Sequence, residues 1–249
     1  VQALAPSGGR KATLERLKYA AARNRLKKLA RGVYASVPPG MDAVKFQPDR
    51  FLVAAALRPD AVFSHHSALE LLGAAHSEWR LCTAYSGKRS QPFDVDGLEL
   101  RFLSHPQSLV RHQAVDLGIR SVHRLDRELS VTGPERTLID GFRRPDLVGG
   151  LAEFVESVAG FSVLELPLLF KLLEDFGQKG LWAAVGWFLD TYRTTFYVTD
   201  DDLVLIGKQV PKEPLYLAKD QRGGVLVRRW NLIVPEELEA GREPDESQR

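Results

Sequence analysis

The chain begins with a basic segment that constrains what the rest of it can be. Residues 10–36 contain nine lysines and arginines and one acidic residue, Glu15, which gives this segment a formal charge of +8. The whole chain of 249 residues carries only +2, so the remainder sums to −6. A small basic end on a mildly acidic body is typical of a protein that contacts a polyanion with one end.

The basic segment is compatible with two local structures. Residues 12–22 are rich in strong helix formers with apolar residues at helical spacing. Arg31 and Gly32 then form a turn signal between apolar residues. This pattern predicts a helix followed by a basic β-hairpin, as in the recognition helix and wing of a winged helix-turn-helix. Because neither Gly nor Pro interrupts residues 12–30, one uninterrupted helix through Ala30 fits the periodicity about equally well.

Four segments resemble one protein family in the same order along nearly the whole chain. They are LARGVYA at residues 29–35, FSHHSALELLG at 63–73, GPERTLID at 133–140 and RWNLIVP at 229–235. Together they are similar to the AbiEi family, the antitoxins and transcriptional regulators of type IV toxin–antitoxin systems. In that family the RGVY piece is the wing strand, so the resemblance favours the helix and wing over the single helix.

The resemblance implies a function without catalysis. It implies a cytoplasmic DNA-binding antitoxin that represses its own operon at inverted repeats, counteracts a nucleotidyltransferase toxin and takes part in phage abortive infection. The expected partners are double-stranded operator DNA and the cognate toxin. No association with a membrane is expected. The protein is expected to act as a monomer or as a cooperative assembly on DNA. The alternatives are a protein-interaction module that sequesters the toxin directly and a metal-dependent nuclease.

The expected fold class is α+β, with a winged-helix-type domain at residues 1–40 and a larger mixed domain with a helical C-terminal part at 41–234. The Val-Pro-Pro-Gly run at 37–40 marks the boundary. A winged helix usually needs about 50–60 residues, yet here the wing arrives by Arg31. Either the native N-terminus was longer or trimmed, or residues 1–6 are the stump of a first helix. The acidic tail, residues 235–249, is expected to be disordered.

Three polar clusters invite an enzymatic interpretation. Adjacent His65 and His66 point about 100° apart on a helix and cannot easily share a metal. Within 135–140, Arg136 and Asp140 have the i,i+4 spacing of a helix ion pair. The acidic run 200–202 follows Thr199 and fits a helix start. No phosphate-binding glycine fingerprint occurs, so we expect neither an active site nor a cofactor nor a metal.

The candidate DNA-binding residues therefore all lie in the basic segment. Cations at its ends and in the hairpin are expected to contact phosphates, and the remainder to lie nearer the base edges. The full set is Arg10, Lys11, Arg16, Lys18, Tyr19, Arg23, Asn24, Arg25, Lys27, Lys28 and Arg31.

Overall fold

The computed structural model describes residues 10–218 and 222–239. The first half of the chain forms, in order, α1 (Arg10–Ala22), β1 (Leu26–Ala30), β2 (Val33–Ser36), α2 (Arg50–Leu57), β3 (Val62–Phe63), α3 (His66–Leu71), β4 (Leu81–Tyr85), β5 (Phe93–Val95), β6 (Leu98–Leu103), α4 (Gln107–Arg111), β7 (Ile119–Arg124) and β8 (Arg127–Thr132). The second half forms α5 (Pro134–Arg143), α6 (Leu151–Ala159), α7 (Leu166–Phe176), α8 (Lys179–Thr191), α9 (Asp200–Gly207), β9 (Leu215–Tyr216), β10 (Val225–Val227), β11 (Leu232–Val234) and α10 (Glu236–Glu239). The α+β prediction is confirmed.

The strands form three sheets. β1 and β2 make an antiparallel pair, and the larger sheet has the order β5-β6-β4-β3-β8-β7. Within it β4 and β6 are parallel, whereas β5 and β6 are antiparallel and joined by an Asp96–Gly97 turn, a dipeptide preferred in tight hairpins. The third sheet has the order β10-β11-β9. Mixed pairing of this kind is common where strands and helices share a domain.

Contacts between Cα atoms divide the described chain into two compact units. The first unit contains residues 10–62, 80–104 and 123–129, and the second contains 63–79, 105–122, 130–218 and 222–239. The first unit therefore continues through residue 40, where the sequence suggests a boundary. The division into domains at 1–40 and 41–234 stays a prediction.

In the first unit, α1 ends by a defined capping geometry. Asn24 has φ 55°, and the amides of Asn24 and Arg25 donate to the carbonyls of Ala21 (3.1 Å) and Ala20 (3.0 Å). This is the Schellman arrangement, in which a left-handed residue closes a helix and satisfies its last carbonyls. Asparagine adopts this conformation readily. The single helix through Ala30 is thus excluded, and a helix followed by a hairpin is what the segment forms.

The second unit is organised around a helical core. Its largest buried side chains include Trp187, Trp230, Phe154 and Phe188, which pack among helices α5 to α9. Two aromatic rings lie directly against glycines. A Cβ atom at Gly141 would overlap the ring of Phe154, and a Cβ atom at Gly186 would lie only 2.5 Å from the ring of Trp230. Such close packing explains why α5 and α8 contain glycine in spite of its low helix propensity.

The beginning of the acidic tail belongs to this fold. Residues Glu236–Glu239 are helical, and Trp187 Nε1 donates to Glu239 Oε1 at 2.7 Å. The disorder predicted from residue 235 therefore does not describe residues 235–239. Residues 240–249 and the predicted stump at 1–6 lie outside the described residues.

Replacing Gly141 by alanine tests the core packing. We expect Gly141→Ala to destabilise the protein by about 1–3 kcal/mol, because overpacking forces side-chain or backbone shifts. Gly207→Ala is the matched control: its Cβ would enter open space at the end of α9, so stability should be unchanged or rise by about 0.5 kcal/mol. Urea denaturation measures both. Equal stabilities of the two variants would contradict the packing described here.

Candidate nucleic-acid interface

The exposed face of α1 carries polar and basic side chains. Thr13, Leu17 and Ala20 are half-buried, whereas Arg16, Tyr19 and Arg23 lie on the exposed side at positions i, i+3 and i+7. The Arg23 guanidinium lies 4.3 Å from the centroid of the Tyr19 ring. This cation–π contact orients Arg23 without neutralising its charge. Arg16, Tyr19 and Arg23 therefore share one solvent-exposed face of α1.

Lys18 is the one cation of this face with an acidic partner among the described residues. Its Nζ lies 3.1 Å from Glu15 Oε1, and the two side chains are 73% and 65% exposed. An ion pair this exposed contributes little to stability, so a phosphate can replace the carboxylate at small cost. Lys18 remains a candidate contact.

The register of the hairpin separates two neighbouring lysines. Lys27 pairs with buried Ala35, and Lys28 pairs with Tyr34. Because successive side chains of a strand point to opposite faces, Lys27 points inward and Lys28 outward. The loop is Arg31 and Gly32, with Gly32 at φ 81°, so the exposed Arg31 stands at the tip of the hairpin.

The ammonium group of Lys27 is hydrogen-bonded and ion-paired inside the first unit. Its Nζ donates to the carbonyls of Val44 at 3.2 Å and Phe46 at 2.8 Å, and it lies 2.6 Å from Asp96 Oδ2. An ammonium group has three N–H donors, and these three oxygens account for all of them. We therefore remove Lys27 from the predicted set of phosphate contacts.

Most of the other predicted residues are available to solvent. Those with exposed side chains are Arg16, Lys18, Tyr19, Arg23, Asn24, Arg25, Lys28 and Arg31. In the described part of the chain, Arg16, Arg25, Lys28 and Arg31 form no side-chain ion pair. The side chains of Arg10 and Lys11 lie outside the described residues.

The paired histidines occupy a buried corner of the second unit. His66 is stacked on Trp79 with ring centroids 4.9 Å apart, and its Nδ1 lies 2.9 Å from Glu70 Oε1. The N-cap residue of α3 is His65, and Ser64 Oγ lies 2.9 Å from His65 Nδ1. Both histidines are buried, so their side chains belong to the interior of the second unit.

The other two polar clusters serve local structure. Arg136 and Asp140 form the predicted i,i+4 ion pair, with 3.8 Å between Nε and Oδ2. Both side chains are fully buried. Thr199 and Asp202 form a capping box, in which each side chain accepts from the backbone N–H of the other. The described residues contain no group of three side chains suited to hold a metal ion.

The second unit also contains a cleft that no sequence motif predicts. It has a volume of about 1440 Å³ and is bordered by Arg144, Asp146 and Tyr216 among others. Arg144 binds the Asp146 carboxylate through two hydrogen bonds, Nε–Oδ1 at 2.8 Å and Nη2–Oδ2 at 2.6 Å, and they hold the pKa of Asp146 below its ordinary value. Residues from distant parts of the chain form the cleft, so no single segment signals it.

Comparison with known proteins identifies a similar fold and no family. No protein-family model matches the chain, and no curated protein does. Among solved structures, the chain is similar to the crystal structure of the Rv2827c protein from Mycobacterium tuberculosis, with a TM-score of 0.58 and 18% identity over 92% of this chain and 80% of that one. At this identity the likeness shows a shared fold alone. None of the described helices is both long and apolar enough to cross a membrane.

The buried His65 predicts a dependence of stability on pH. Burial lowers its pKa from 6.5 to about 4, because a charged imidazolium loses its hydration in the interior. Between these values the unfolded chain binds a proton that the folded chain does not. The contribution of His65 to the free energy of unfolding is therefore fully present above pH 6.5 and is lost as the pH decreases toward 4, by at most about 1.4 kcal/mol per pH unit.

Urea denaturation at pH 7.5, 5.5 and 4.5 measures this effect in the wild type and in His65→Asn, since asparagine tolerates the left-handed φ of 56° found at this position. The variant should lose the histidine component of the pH dependence. His123→Asn, in which the histidine side chain is 68% exposed, serves as the control and should retain it. Parallel stability curves for wild type and His65→Asn would contradict the assignment.

Proposed function

We propose that this chain is a sequence-specific DNA-binding protein without catalytic activity, an antitoxin of the AbiEi type that represses its own operon. The observation that carries the proposal is the set of exposed cations on α1 and on the hairpin, among them Arg16, Arg25, Lys28 and Arg31, whose side chains have no acidic partner among the described residues. Cations of this kind release counterions when they meet phosphates and supply affinity.

The geometry of the basic segment suggests separate roles for its helix and its hairpin. A helix of the length of α1 fits the major groove of B-form DNA, and an adjacent hairpin can hold the phosphate backbone. Arg16, Tyr19 and Arg23 on the helix face are the proposed base-reading side chains, with arginine to guanine as the expected contact. Lys28 and Arg31 on the hairpin are the proposed phosphate contacts. We propose a cytoplasmic location because the function requires DNA.

A second candidate function is direct sequestration of the toxin. Leu215, Tyr216 and Leu226 are between 41% and 50% exposed on β9 and β10, the outer strands of the small sheet in the second unit. Exposed apolar side chains at strand edges favour a protein contact. This function and operator binding are compatible, since they use different residues.

Replacing Arg23 and Arg25 together by alanine tests the proposed interface. We expect operator affinity to fall by about 2–5 kcal/mol, because each arginine contributes about 1–3 kcal/mol when it contacts a base or phosphate. The control is Lys208→Ala with Lys212→Ala, which removes the same charge from exposed positions of the second unit. Gel-shift titration with the DNA upstream of the gene measures both. Unchanged affinity of the arginine variant would exclude this recognition surface.

Replacing Tyr216 and Leu226 by serine tests sequestration. If the toxin binds at this edge, the variant should lose co-purification with the toxin encoded next to it while operator affinity stays within about twofold, since surface substitutions away from an interface change little. The Arg23 and Arg25 variant is the complementary control and should retain co-purification. Co-purification that survives in the serine variant would remove this edge as the binding site.

A further inference from the structure

The environment of Lys27 assigns it a different role from its neighbour Lys28. Lys27 has a side chain that is only 14% exposed and faces Asp96, whose side chain is 29% exposed, at 2.6 Å. Both residues belong to the first unit. The lysine lies on the wing hairpin, β1–β2, and the aspartate lies on the turn of the β5–β6 hairpin.

The partners of Lys27 are held in place by their own backbones. Asp96 and Gly97 have φ values of 59° and 80°, and the Gly97 amide donates to Asp94 Oδ1 at 3.0 Å. Two consecutive residues with positive φ define the tight hairpin turn for which Asp-Gly is preferred. The carboxylate of Asp96 is therefore presented from a rigid corner.

The two carbonyl partners are similarly fixed. Val44 N donates to Asp42 Oδ1 at 2.8 Å, and Phe46 N donates to the carbonyl of Asp42 at 2.9 Å. These bonds fold the segment between β2 and α2 so that the carbonyls of Val44 and Phe46 converge on Lys27 Nζ. The ammonium therefore connects three separate pieces of the first unit, namely β1, this segment and the β5–β6 turn.

We infer that Lys27 is a positioning residue of the DNA interface: with Asp96 it fixes the wing to the β5–β6 hairpin, so that Lys28 and Arg31 are presented together with α1. This inference rests on the proposed function. A two-stranded sheet is at best marginally stable alone, so the orientation of the wing depends on such contacts. A wing that occupies the docking position a tenth of the time binds about tenfold more weakly.

The direction in which one substitution changes DNA affinity distinguishes a positioning role of Lys27 from a direct phosphate contact. Asp96→Asn removes a negative charge from the basic end. If Lys27 were a phosphate contact that Asp96 restrains, binding would stay the same or tighten. If the pair positions the wing, binding weakens, even though the protein has become more positive.

The experiment compares Asp96→Asn, Lys27→Met and, as the matched control on the opposite face of the same strand, Lys28→Met. Amide hydrogen exchange of the free protein reports on the wing. Titration over a range of salt concentrations, with a duplex carrying the sequence upstream of the gene and a shuffled duplex of equal length, reports on binding. We expect the first two variants to exchange the β1–β2 amides about tenfold faster, with α5–α8 unchanged, and to bind about tenfold more weakly.

Salt dependence completes the test. Asp96→Asn and Lys27→Met should keep the wild-type slope of log affinity against log salt concentration, whereas Lys28→Met should keep slow exchange and lose about 0.9 from the slope, the value for one phosphate contact. A slope reduced by Lys27→Met, or tighter binding by Asp96→Asn, would overturn the inference; so would faster wing exchange without weaker binding. If the wild type itself does not distinguish the two duplexes, the proposed function fails, while hydrogen exchange still reports whether Lys27 holds the wing.

Discussion

The basic end of this chain depends on external support for a two-stranded sheet. Two strands with one exposed face bury too little apolar surface to be stable alone, and the β1–β2 hairpin is such a pair. The support has an apolar part, the buried side chains of Val33 and Ala35, and a polar part, the three oxygens around Lys27 Nζ. The apolar contacts favour docking in general, and the directional polar contacts define one orientation.

Local signals account for the elements that could be predicted from the sequence. Gly32 permits the wing turn, Asp96 with Gly97 forms a tight hairpin turn, and Thr199 with Asp202 forms a capping box. In each case the determining atoms lie within a few residues, so the residue types are sufficient evidence. The end of α1 belongs to this group as well. Periodicity left it open, yet Asn24 is a residue that ends helices in the left-handed conformation.

The remaining features depend on partners that are distant in sequence. The sequence presents Lys27 and Lys28 as equivalent basic residues, and only the strand register and the position of Asp96 distinguish them. Ser64 has the residue type of a helix cap, yet its hydroxyl lies against His65 Nδ1. The cleft beside Asp146 combines residues from separate segments. The fold class and the helix and hairpin of the basic segment were thus predictable, whereas the contacts of individual polar side chains were not.

The number of basic residues in a segment therefore overstates its capacity to bind a polyanion. A lysine whose three donors are already satisfied must break those bonds before it can reach a phosphate, and a half-buried carboxylate left without its partner is costly. Exposed cations such as Arg16 and Arg31 exchange only water and counterions. Since salt at physiological concentration screens charges beyond about 8 Å, affinity depends on how many such cations lie within that distance of phosphates. In the function that we propose, that number depends on the orientation of the β1–β2 hairpin, which the ion pair of Lys27 with Asp96 would fix without itself contacting DNA.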